Sequence, residues 1–276
     1  MFFKRTFCWF DVVKLLQWGQ RLKIRLLSVL SGWHGALMFY TCLPVPQHWP
    51  LEFRWIACWV PWVGLVVGGL LAIADNLLYV LQFPPLVAST LVVALGVAIT
   101  GGLHVDGVVD VADGLAVPDP HRRLMVMKDS RMGAFGGMAV VLLLLLKVFA
   151  IAAIAEHREV VLVAVAMWGR WAQQWAIARY PYLKREGKGA FHKLALPTVW
   201  HSIPSLFSLF ALSGLLGVSG SAPWYLLLRI SVGGVVFALL TSAYFHRELG
   251  GHTGDTYGAV VEWSEALLLC SLSASL

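Results

Sequence analysis

Three aspartates, Asp106, Asp110 and Asp113, stand at i, i+4 and i+7 in Gly101-Gly102-Leu103-His104-Val105-Asp106-Gly107-Val108-Val109-Asp110-Val111-Ala112-Asp113-Gly114. On a helix this spacing puts all three carboxylates on one face. Carboxylates crowded beside a low-dielectric medium repel one another unless a cation neutralises them. An all-oxygen donor set suits Mg²⁺ or Mn²⁺ better than zinc. Mg²⁺ also keeps several waters and commonly joins one or two carboxylates to a substrate phosphate. A solvated acidic cap on a helix end would use the same residue types, but the regular spacing and the flanking glycines favour the metal reading.

Just downstream, Lys128-Asp129-Ser130-Arg131-Met132-Gly133-Ala134-Phe135-Gly136 opens the next apolar run. Lys128 and Arg131, with Asp129 and Gly133 framing a helix N-terminus, make a candidate phosphate site. Acids for a metal beside cations for phosphate point to metal-assisted phosphoryl transfer. A second motif, Gly250-Gly251-His252-Thr253-Gly254-Asp255-Thr256-Tyr257-Gly258-Ala259, precedes Glu262 and Glu265. Its glycines let the backbone approach something closely, and Asp255 is expected to complete the first metal site or to form a second. His104 and His252 are candidate bases within the two motifs, and His252 also joins the phosphate set. Arg170 and Lys188 could add phosphate contacts from a facing helix.

These residues belong to a chain that is 59% hydrophobic and only 13% charged over 276 residues, with a mean hydropathy of +0.74. A soluble domain carries about twice that share of charge, so a disordered chain, a basic nucleic-acid-binding domain and an ordinary soluble enzyme are excluded. Apolar runs at 59–82, 86–103, 134–155, 160–178, 204–222 and 223–244 each suit a bilayer crossing. Continuous apolar character marks helices and not barrel strands. Pro84-Pro85, Gly101-Gly102, Pro181 and Pro223 punctuate the runs. Gly64, Gly68 and Gly69 are read as close helix–helix contacts. The four cysteines, Cys8, Cys42, Cys58 and Cys270, are scattered and fit neither a zinc site nor a disulfide framework. Lys4, Arg5, Asp11 and Lys14 interrupt any early apolar run and argue against a cleavable signal peptide.

The net charge of +6 is read mainly as orientation. Segment 104–133 carries Arg122, Arg123, Lys128 and Arg131, and segment 179–203 carries Arg179, Lys184, Arg185, Lys188 and Lys193. Both are expected on the cytoplasmic side, and the acidic 245–265 segment with them. A full crossing at 27–46 would then put six early basic residues outside, so that stretch is read as lying at the interface or re-entering. The expected fold is an all-α polytopic membrane helical bundle with about six crossings plus one cytoplasmic-side interfacial or re-entrant segment. Residues 1–26 form a basic N-terminal extension, and 27–276 a single integral-membrane catalytic domain.

The motifs GGLHVDGVVDVADG, MKDSRMGAFG and GGHTGDTYGA, with Thr41-Cys42-Leu43-Pro44-Val45-Pro46 and the Arg170 to Gly189 region, resemble the cobalamin synthase (adenosylcobinamide-GDP ribazoletransferase) family over about residues 38 to 265. The resemblance implies an Mg²⁺-requiring enzyme of the bacterial inner membrane. Its substrates would be adenosylcobinamide-GDP and α-ribazole or its 5′-phosphate, its product adenosylcobalamin or the 5′-phosphate, and GMP its leaving group. Joined to the reading of the acid motifs, it leads us to expect metal ligation by Asp106, Asp110, Asp113 and Asp255 from the cytoplasmic face. The lipid membrane and other cobalamin-assembly enzymes are the expected partners, and nucleic acid is not. A CDP-alcohol phosphotransferase would place Ala-Arg where Asp110-Val111 stands. A cation transporter would bury its acids midway along the spans.

Overall fold

The computed structural model describes residues 27–129, 131–184 and 189–274. The 1–26 extension and Lys188 lie outside the described residues. The architecture is an all-α polytopic membrane bundle. In chain order its helices are α1 (27–40), α2 (Ile56–Val80), α3 (Pro85–Ile99), α4 (Leu103–Leu115), α5 (Pro120–Val126) and α6 (Ala134–Ala153). They continue as α7 (Arg158–Arg179), α8 (Ala190–Ala195), a 3-10 turn at Val199–His201, α9 (Ile203–Val218), α10 (Trp224–Leu249) and α11 (Gly254–Ser273).

Each predicted span falls on a helix. By length and apolar content, four elements can cross a membrane: α2, α6, Val199–Val218 and α10. The pair α3–α4, bent by 91°, counts as a fifth only when taken together as one broken span, so the described helices give four or five candidate crossings where six were expected; the expected span at 160–178, now α7, is the one outside this set. Gly101 and Gly102 make the α3–α4 bend, both left-handed, at φ 61° and 71°, where a side chain would be strained. The 27–46 stretch forms α1 and then leaves the helix. The Cys42 N–H bonds Ile99 O at 2.7 Å, which seats the Leu43–Pro46 break against the end of α3.

Helices α2 and α7 run antiparallel in close contact. A Cβ on Gly64 would meet Ala166 O at 2.5 Å, and one on Gly68 would meet Val163 Cα at 2.6 Å. Gly69, read from sequence as a third contact, has nothing within 4 Å; it lies one residue round the helix from the seam. Gln174 at one end of this pair donates to Ala57 O, and Arg158 at the other holds Asp75 through Nε at 2.8 Å and Nη2 at 2.6 Å. The intramembrane Asp75 is therefore paired.

The acidic 245–265 segment departs from the sequence reading. Instead of staying with the basic segments at one end of the bundle, residues from Gly254 onward form α11, which is buried against α4, α7, α10 and α6. Glu262 and Glu265 face inward. Lys147 Nζ of α6 donates to Glu262 Oε2 at 2.5 Å and Glu265 Oε2 at 2.7 Å, and Arg170 Nη1 of α7 donates to Glu265 Oε1 at 2.9 Å. Charges inside a bundle are costly unless they meet partners, and here two anions meet two cations. A cavity of about 50 Å³ beside them, bordered by Thr100, has room for water.

Replacing Lys147 by Met keeps most of the side-chain length and removes the charge, leaving Glu265 to Arg170 and Glu262 without its cation. The purified protein should lose about 3–5 kcal/mol of stability, read as its unfolding midpoint in detergent, and Glu262→Gln added to it should restore part of the loss. An unchanged midpoint for Lys147→Met would refute the pairing.

Candidate active site

The site forms where α4 crosses the start of α11. The contact is backbone against backbone: a Cβ on Gly107 would lie 2.3 Å from Asp255 O, and one on Gly258 would lie 2.9 Å from His104 Cα. This close approach, possible only with glycine, brings the two acid motifs together. Asp106 is exposed, and Asp110 and Asp255 are half-buried. Partial burial raises the Asp110 pKa to about 6, helped by the charges of Asp106 and Asp255 and opposed by Lys184. Asp106 and Asp110 have no ion-pair partner among the described residues, whereas Asp255 Oδ2 accepts from Lys184 Nζ at 2.9 Å and from Thr253 Oγ1 at 3.1 Å.

Asp113 has a different task. Its Oδ2 accepts the Gly133 N–H at 2.7 Å and its Oδ1 the Gly136 N–H at 2.8 Å. The N-cap of α6 is Gly133, which has no side chain to satisfy the first N–H groups. Asp113 does so from the neighbouring helix, and its negative charge also suits the positive end of α6. This N-terminus, expected to receive a substrate phosphate, already holds the protein's own carboxylate. The glycines leave room for it, since a Cβ on Gly133 would sit 2.4 Å from Asp113 Oδ1.

The other sequence candidates divide in the same way. Lys128 is exposed at the same end of the bundle. Arg131 is exposed too, with its guanidinium in a two-point pair with Asp129, whose pKa those hydrogen bonds hold at about 2. Arg170, expected on phosphate, is 3% exposed and bonded to Glu265 and Ala166 O, so the interior network takes it. His104 is 2% exposed with neither ring nitrogen hydrogen-bonded, and Glu262 Oε1 is 4.0 Å from its Nδ1. That burial removes it from contact with a substrate. His252 is fully buried between Thr256 Oγ1 at 3.1 Å and Ser242 O at 3.2 Å, and burial lowers its pKa to about 4. It is a neutral strut beneath the loop and not a phosphate ligand.

Lys184 is the residue the sequence reading passed over as one more orienting cation. Nothing in its spacing separates it from Arg179, Arg185 or Lys193, and Asp255 is 71 residues away. Backbone pairing puts it there: the Leu183 N–H donates to His252 O at 2.8 Å, and the His252 N–H donates to Pro181 O at 2.9 Å.

Among the described residues, no three acid, histidine or cysteine groups converge as in a protein-only metal cage. Asp106, Asp110 and Asp255 are instead neighbouring carboxylates at one end of the bundle, close enough for the charges of Asp106 and Asp255 to act on Asp110. An apolar helical bundle with mutually repelling carboxylates and exposed cations at one end is the architecture of an integral-membrane enzyme acting on phosphate groups. The chain belongs to the cobalamin-5-phosphate synthase family, whose profile matches residues 32–273. It is 49% identical over 252 residues to the adenosylcobinamide-GDP ribazoletransferase of Trichormus variabilis, covering 91% of this chain and 98% of the relative. The enzyme of the same name from Thermosynechococcus vestitus is 50% identical over 246 residues, covering 89% and 97%. No solved structure matches.

Asp113→Asn leaves one oxygen where two N–H groups need acceptors, and should cost about 1–2 kcal/mol. Gly133→Ala should cost a similar amount by crowding Asp113. Gly137→Ala, with only Met132 Cε near at 3.9 Å, should be neutral or slightly stabilising. Thermal unfolding of the three variants checks the order.

Proposed function

We propose that the chain transfers the adenosylcobinamide-phosphate moiety of adenosylcobinamide-GDP to α-ribazole or α-ribazole 5′-phosphate. GMP is released and adenosylcobalamin or its 5′-phosphate is formed, the nucleotide-loop assembly step of cobalamin biosynthesis. The observation that carries this reading is the meeting of Asp106 and Asp110 with Asp255 at one end of the bundle, in a chain matched to its family over 32–273.

A bound Mg²⁺ supplies charge neutralisation along the diphosphate bridge. Asp106 and Asp110, one helical turn apart, would hold it from α4, and Asp255 from the first turn of α11. Attack by the acceptor hydroxyl on the phosphorus bound to the cobinamide side breaks the bond to the GMP oxygen. Lys128 and Arg131, exposed at the same end, are the cations to meet the leaving phosphate. Fixed placement of these groups accounts for most of the acceleration, since phosphoryl transfer depends mainly on positioning and charge stabilisation. Burial of His104 and His252 leaves proton acceptance to the carboxylates or to water. The membrane is the bacterial plasma membrane, with the site facing the cytoplasm. Support comes from the basic segments 104–133 and 179–203, which join helices at the acid-cluster end.

Membranes carrying the protein should release GMP from adenosylcobinamide-GDP only when both α-ribazole and Mg²⁺ are present. Asp106→Ala and Asp110→Ala should lower that rate by about 10³-fold or more at unchanged membrane insertion. GMP release at a near-normal rate in either variant would sink the ligand assignment.

A further inference from the structure

Lys184 is the described cation in direct contact with the acid cluster, and its position is built and not incidental. Residues 181–184 are pinned to the 250–254 turn by the two backbone bonds given above. Gly251 allows the approach, as a Cβ there would meet Pro181 O at 2.7 Å. The Tyr182 ring stacks on Tyr257 of α11, with centroids 6.0 Å apart. The lysine backbone is thus held, while its flexible side chain reaches Asp255 Oδ2 at 2.9 Å.

The pair itself is open. The Lys184 and Asp255 side chains are 24% and 25% exposed, and ion pairs with this access to water are weak. A divalent cation among Asp106, Asp110 and Asp255 competes directly with the ammonium for Asp255. We propose that Lys184 is a provisional counter-ion: Asp255 exchanges it for the divalent cation, and the released ammonium binds a phosphate of the diphosphate substrate. This rests on the cation-binding reading of the acid cluster. It extends that reading by making Lys184 a substrate-binding residue held ready by the ligand it gives up. No proton is transferred and no covalent bond changes in the exchange.

The test uses the full chain in detergent with Mn²⁺ as the probe, free Mn²⁺ being read by electron paramagnetic resonance. Lys184→Gln and Lys184→Met should each tighten Mn²⁺ binding about fivefold by removing the competitor. The gain should vanish in an Asp255→Asn background, and Lys184→Arg should return the wild-type affinity. At saturating Mn²⁺, Lys184→Gln should raise the KM for adenosylcobinamide-GDP by about tenfold. Unchanged or weaker Mn²⁺ binding in both neutral variants overturns the exchange, as does an equal gain in the Asp255→Asn background. A wild-type protein that binds no Mn²⁺, or binds it equally well after Asp106→Asn and Asp110→Asn, overturns the cation reading beneath it.

Discussion

Two glutamates and two cations, brought together inside an apolar bundle, set the geometry on which the rest depends. Glu262 and Glu265 of α11 have to meet Lys147 of α6 and Arg170 of α7, because each alone would carry the cost of an unpaired charge away from water. The four formal charges sum to zero, so His104 need not be protonated to balance them. The fit is tight as well: a Cβ on Gly169 would lie 2.5 Å from Glu265 Cγ, so α7 and α11 close around the pair. Once the network forms, the rotation and depth of α11 are fixed relative to two other helices.

That constraint reaches the acid cluster along the chain. Asp255 lies seven residues before Glu262, about 10 Å along the helix at 1.5 Å per residue, which carries it from the interior network to the end of the bundle. Helix α4 takes its place from α11 through Gly107 and Gly258. Its other end is tied to α6 by Asp113. Asp106 and Asp110 are therefore held between two anchors, each made by a neighbouring residue of the same motif. A single stretch of sequence holds both the groups suited to chemistry and the groups that fix them.

This division of labour explains what could be read in the sequence. The i, i+4 spacing of Asp106 and Asp110 was legible because a helix repeats locally. The Gly101-Gly102 bend was legible because paired glycines break apolar runs. The role of Asp113 was hidden: its regular spacing made it look like a third ligand, while the N–H groups it serves lie 20 and 23 residues downstream. Glu262 and Glu265 were read with the acidic cytoplasmic-side segment because the partners that draw them into the bundle lie 115 and 95 residues away. The apolar character of α11 is diluted by these acids, so hydropathy alone did not mark it as an interior helix. Arg170 and His252 were misplaced for a related reason. Polar residue types signal chemistry, yet in an apolar bundle many of them serve only to satisfy one another.

The depth of each charge then separates catalysis from transport. A translocation path needs exchangeable polar groups strung through the bundle. Here the interior charges saturate one another: Lys147 is shared by two carboxylates, Arg170 is bonded to one of them, and Asp75 is held at two points by Arg158. The carboxylates without such partners, Asp106 and Asp110, stand at one end, where Asp106 is exposed and water and a diphosphate can reach them. Electrostatic repulsion left uncompensated at a solvent-facing end can be relieved by a soluble cation and its phosphate ligand. Repulsion in the interior would have to be relieved by the protein itself, and in this fold it is.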